Sequence, residues 1–173
     1  MYAKALLLLS VVAVLAVGCA QQHTTAPPVL PHSLVGPSVP VIQLPGGGRR
    51  ATLVQGQLRF SAEVTSTSVP TRQGISVKLT LTNTGTTPVA WDDLRLGWEA
   101  ATPDVGRLFM NLGQSHGGPS LPHPLTLAPG ASTSRVVGMG PMNPIGDYHV
   151  VGGFDGVGGP SGRTAEILVR LTK

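Results

Sequence analysis

Six side chains suited to a soft metal fall in the second half of the chain: Met110, His116, His123, Met139, Met142 and His149. Thioether and imidazole together are the ligand set that selects Cu(I). The stretch "GMGPMNP" places Met139 and Met142 in one turn-rich segment, and His149 follows closely. A bland account stands beside this one. Methionine fills gaps in cores, and the alternation around Tyr148 sends His149 to the polar side of its strand. Pro141 and Pro144 stiffen the chain between the Met pair and that strand. Copper carriage is therefore kept as an alternative, and no metal or cofactor is assigned.

Catalysis needs a converging acid, base or nucleophile. The available pairs are Ser115 with His116 and Asp147 with His149. Adjacent strand residues point to opposite faces, so Ser115 and His116 cannot share a proton unless the chain turns there. The glycine-rich "GGFDGVGGPSG" (Gly152–Gly162) has no lysine and opens no helix, so nothing in it cradles phosphate. It is expected to form a mobile loop between the last two strands. No enzyme is expected.

Charge points to no polyanion. Only Arg49 and Arg50 are adjacent cations, and aromatic residues are 4% of the chain. Nucleic-acid binding needs a cationic stripe with aromatics to stack bases. No nucleic-acid partner is expected.

Cys19 is the one cysteine, so no intramolecular disulfide can form. It follows a single cation, Lys4, and a stretch from Ala5 to Val17 that is apolar except for Ser10. As a helix this stretch would reach roughly 20 Å, against a hydrocarbon core of about 30 Å. It is too short to span comfortably and has the length of a signal-peptide apolar region. The residues Ala16, Val17, Gly18 and Cys19 resemble the lipobox of bacterial lipoproteins, usually Leu-Ala-Gly-Cys. That resemblance implies cleavage after Gly18, with diacylglycerol on the Cys19 thiol and acylation of the new amine. Two or three acyl chains make a stable anchor where one does not. The expected address is the bacterial cell envelope, with the membrane as a partner through the lipid. Ala20 and Gln21 stand where Asp often signals inner-membrane retention, which favours the outer membrane. Removing the leader takes away Lys4 and leaves a net charge of +3.

These residues must be positioned by something, and the elements are legible. Residues 1–18 read as the signal peptide and 19–48 as the lipidated cysteine with a Pro/Gly-rich tether. Six prolines between Pro27 and Pro45 break helix and ladder alike. An alternative lays "PVIQLP" along the domain as an edge segment. Residues 49–173 read as one domain.

Within it apolar residues alternate: Leu58, Phe60, Ala62 and Val64; Ile75, Val77, Leu79 and Leu81; Leu94, Leu96 and Trp98; Ala165, Ile167, Val169 and Leu171. Each run has one apolar and one wet face, as in antiparallel sheets packed on a core. Turn signals separate them at "TNTGTT", "APGAS" and "PMNPIG". The expectation is an all-β, single immunoglobulin-like antiparallel sandwich. Trp98 should be buried, and Trp91, beside Asp92–Asp93, more exposed.

Three stretches carry a further resemblance. "ISVKLTLTNTG" resembles the second strand of bacterial immunoglobulin-like domains, "LTLAPGAS" their Leu-x-Pro-Gly turn, and "GDYHVVGGF" their Gly-x-Tyr strand with a tyrosine corner at Tyr148. They occur in the order found in the BsuPI family, which includes an intracellular proteinase inhibitor. That likeness implies inhibition by an inserted loop, for which "GQSHGGPSLPHP" (Gly113–Pro124) is the candidate. The first expectation is different: a non-catalytic binding or assembly module for another envelope protein, acting through loops or an exposed sheet edge.

Overall fold

The computed structural model describes residues 40–102, 106–110, 124–142 and 145–173. Among the described residues are thirteen strands: β1 Ile42–Gln43, β2 Arg49–Gln55, β3 Leu58–Val64, β4 Ser68–Pro70, β5 Ile75–Asn83, β6 Val89–Trp91, β7 Asp93–Thr102, β8 Gly106–Met110, β9 Leu125–Leu127, β10 Ser132–Met139, β11 Gly146–Val157, β12 Gly162–Arg163 and β13 Ile167–Thr172. The helix among the described residues is one 3-10 turn, Pro45–Gly47. No helix among them is long and apolar enough to cross a membrane.

The strands form two packed sheets and a short ribbon. One sheet runs β1-β2-β3-β5-β10 and the other β4-β13-β11-β7-β8, with β12 paired to β11; β6 and β9 make the ribbon. Pairing is antiparallel except where β4 lies parallel to β13. β3 packs over β11, β5 and β10 over β7, and β2 over β12 and β13. This is the expected sandwich.

The alternation explains the core. Leu58, Phe60, Ala62 and Val64 face inward from β3, and Ile75, Val77, Leu79 and Leu81 from β5. Leu94, Leu96, Trp98 and Ala100 meet them from β7, and Ile167, Val169 and Leu171 from β13. Phe60 and Phe154 bridge the sheets with ring centroids 5.1 Å apart at 57°, a tilted geometry favoured by the ring quadrupoles. Trp98 is fully buried, as its phase on β7 requires.

Two expectations are overturned. Trp91 is 1% exposed, and its indole nitrogen donates to the Pro160 carbonyl at 2.9 Å. Its polar neighbour, Asp92, takes the exposed position instead. Gly152–Gly162 is not a loop throughout: β11 continues to Val157, the chain turns at Gly158, and β12 pairs back onto Gly153 and Phe154. The reason is close approach. A Cβ on Gly156 or Gly159 would strike the Trp91 ring, and one on Gly152 would meet Ala62 on β3. Missing side chains here serve packing.

The start of the domain also carries structure. Ile42 and Gln43 pair with Arg50 and Arg49 of β2, so this end of the Pro-rich segment lies on the sheet as an edge strand.

Candidate functional site

Sheet edges present unpaired backbone groups and are the ready sites for adding a strand. Among the edge strands, β1 has two residues, β4 three, ending in Pro70, and β8 five. β10 has eight, contains no proline, and ends its sheet beyond β5.

Register shows which backbone groups of β10 are used. The Thr84 N–H bonds to Gln57 on the β3 side, whereas the Asn83 N–H bonds to Ala131 on the β10 side. Backbone groups alternate sides along a strand, so Leu81, Leu79, Val77 and Ile75 also turn toward β10. Their register partners are Thr133, Arg135, Val137 and Met139. The N–H and C=O groups of Ser132, Ser134, Val136 and Gly138 therefore face away from β5, along the edge. Val136 is 62% exposed.

Both ends and the middle of this strand are fixed. Asn83, fully buried, donates from Nδ2 to Thr87 O at 2.8 Å and to Leu127 O at 2.9 Å, and accepts at Oδ1 from Gly85 N. Its backbone carbonyl accepts from Gly130, whose φ of 75° suits the turn leading into β10. Mid-strand, the Trp98 indole donates to Val137 O at 2.8 Å. Just past the far end, Met142 N donates to Thr71 O.

Arg135 breaks the pattern of this strand. It lies opposite Leu79 and so shares the core-facing side with Val137 and Met139. Its Nε is buried without a hydrogen-bond partner. Arg50, Arg163 and Arg170, by contrast, are matched to carboxylates. Arg50 Nε reaches Glu63 Oε1 at 2.8 Å from the register-opposed position. Arg170 grips Asp147, also register-opposed, at 2.6 and 2.8 Å. This grip holds the Asp147 carboxyl below its ordinary range and raises the Arg170 guanidinium. Arg163 lies across the bare backbone of Gly153 to reach Glu99 at 3.1 Å.

Among the described residues, His149 is turned away from the core in which Met139 and Met142 lie. Met142 is buried in the core, and Met139 packs against it. His149 lies on the opposite side of β11 from buried Tyr148 and Val150, its Nδ1 3.0 Å from Glu166 Oε2. Asp147 and His149 thus each engage another residue. Burial raises the Tyr148 phenol pKa. Cys19, Ser115, His116 and His123 lie outside the described residues, as does the Met110 side chain. Among the described residues no three His, Cys, Asp or Glu side chains are grouped to hold a metal.

No family model matches the chain, and no curated protein does. Solved structures match its fold. The C-terminal domain of Wzt is similar at 13% identity and a TM-score of 0.51, over 72% of this chain and 78% of that domain. A β-glucosidase from Erythrobacter marinus aligns at 14% identity and TM-score 0.45, over 70% of this chain. The match covers 16% of that enzyme. The ApaA protein of Bordetella pertussis aligns at 18% identity and TM-score 0.33, over 80% and 98% of the two chains. The Wzt likeness supports the sandwich and bears on fold alone.

Proposed function

We propose that this chain is a lipid-anchored envelope lipoprotein whose sandwich is a non-catalytic binding or assembly module. The observation that carries the binding role is β10, an eight-residue edge strand whose outward backbone groups are not used by its own sheet. An extended segment of another envelope protein would add there by main-chain hydrogen bonds, with alternate side chains giving selectivity. The anchoring half rests on "AVGC" ending a short apolar stretch. BsuPI-type inhibition would instead use Gly113–Pro124, which lies outside the described residues.

Each half has its own test. Cys19→Ser should abolish acyl labelling and leave the precursor uncleaved; unchanged labelling overturns the anchor. For the edge, Val136→Pro removes an outward N–H while leaving the β5 ladder intact, since proline is tolerated at edges. Proteins crosslinked to the wild type in envelope preparations should be lost from this variant. Identical recovery from both would overturn the edge reading.

A further inference from the structure

The edge reading leaves open what kind of strand it admits. Resting on that reading, we propose that β10 takes a partner β-strand carrying a carboxylate opposite Arg135.

Three observations converge on this. Arg135 points to the core side of an edge strand, with Leu79 as its neighbour on one side and no strand on the other among the described residues. Its Nε is buried and unpaired, and an unmet buried donor is costly. On its solvent-facing sides the same molecule twice sets a carboxylate opposite an arginine at the register-opposed position of the adjacent strand, at Arg50–Glu63 and Arg170–Asp147. An added strand would create the missing position beside Arg135, where Cβ atoms stand about 5 Å apart. On the same side of β10, Val137 lies in the core and Met139 packs against it, so the flanking inward positions of an added strand would extend an apolar layer. The matching strand therefore alternates apolar and acidic residues on its inward face.

The chain cannot supply this carboxylate itself from either obvious source. β10 contains no Asp or Glu, so a second copy pairing edge to edge offers none in any register. Centred on Arg135, such a pairing would set two guanidinium groups opposite each other. The residues before β2 contain no acidic residue either. They also enter the sheet at β1, at the opposite edge from β10. With both of these sources excluded, the charge complementarity favours a segment of another protein as the occupant.

The test uses the detergent-solubilised full chain and three labelled peptides, Thr-Val-Thr-X-Thr-Val-Thr with X as Glu, Gln or Lys, followed by fluorescence anisotropy. The Glu peptide should bind at least about tenfold more tightly than the Gln peptide, and the Lys peptide least. Arg135→Gln should erase the difference between the Glu and Gln peptides while retaining binding of the Gln form. Val136→Pro should weaken all three; Arg135→Gln carries the test if the proline variant unfolds. Equal binding of the three peptides, lost in Val136→Pro, would overturn the Arg135 pairing and leave the edge reading standing. Binding that survives in a folded Val136→Pro variant, or no binding at all, would overturn the proposal. A concentration-dependent dimer that Val136→Pro dissolves would make a second copy the occupant and overturn it as well.

Discussion

Replacing Gly152 with alanine should be among the most damaging single-methyl changes in this domain. A Cβ built on Gly152 lies 2.5 Å from the Ala62 Cβ, 3.2 Å from Leu79 Cδ2 and 3.4 Å from Phe60 Cε1. Carbon atoms pack best at about 3.5–4.0 Å, so the Ala62 contact is short by roughly 1 Å. Leu79 and Phe60 have rotatable bonds and can yield a few tenths of an ångström. Ala62 has none: its Cβ is fixed to the β3 backbone, and β3 is held on both sides by β2 and β5. The clash is relieved only by separating β3 from β11 at the middle of the sandwich. Inserting a methylene into a tight core costs about 1–3 kcal/mol. Two backbone-fixed atoms put this case in the upper half of that range, about 2–3 kcal/mol. For a domain of this size that is on the order of 8–15 °C in Tm.

Thermal unfolding followed by far-ultraviolet circular dichroism measures the effect, and a second substitution isolates its cause. Ala62→Gly alone weakens a strand interior by about 0.5–1 kcal/mol. In the Gly152→Ala background it removes the atom struck, so the double variant should be more stable than Gly152→Ala alone. The coupling should be at least about 1 kcal/mol, as expected for residues in contact. A Gly152→Ala variant melting with the wild type would refute the reasoning, and so would strict additivity of the two changes. Either result would mean that the sheets stand further apart at this point than the contacts above require.

Asn83→Ala should cost about 2–4 kcal/mol in chemical denaturation, since it strands the Thr87 and Leu127 carbonyls and the Gly85 N–H; a change below about 0.5 kcal/mol would show that water replaces all three. Asp147, whose carboxyl is held below its ordinary 3.8 first by the hydrogen bond from Arg170, contributes stability that is present above that value and lost as pH falls through the lowered one. Asp147→Asn should therefore flatten the acid limb of a stability–pH profile, with only a small loss at neutral pH because the pair is exposed; an unchanged acid limb would show that the ion pair does not persist in solution.

How much of this the sequence discloses depends on which physical signal each residue sends. Period-two alternation is strong wherever one face is buried, so β3, β5, β7 and β13 are legible with the correct inward face, Trp98 included. Trp91 is not, because its neighbours Asp92 and Asp93 suggest an exposed turn. Its cover comes from Pro160, Gly156 and Gly159, more than sixty residues away in the chain. The same glycines mislead in Gly152–Gly162. Glycine marks both mobile chain and chain pressed against a neighbour, and composition does not separate the two. Arg135 is the clearest gap. The strand "STSRVVGM" is readable, but its edge position follows from strand order, which depends on contacts between distant segments. An arginine at an inward phase then looks like any solvated cation.

The edge also differs from a flexible loop in what it asks of a partner. A loop that orders on binding loses conformational freedom, at about 1–2 kcal/mol per residue fixed. β10 is already held: by the Asn83 hydrogen bonds at its start, by the Trp98 indole on Val137 and by its register with β5 along its whole length. Ordering costs then fall on the partner segment alone, which is how a preorganised surface gains affinity without more contact area. The same rigidity makes the strand selective. Arg135 is set at one place along the edge, so a carboxylate must arrive in one register to meet it. A strand shifted by one residue would turn its acidic side chain to the solvent face.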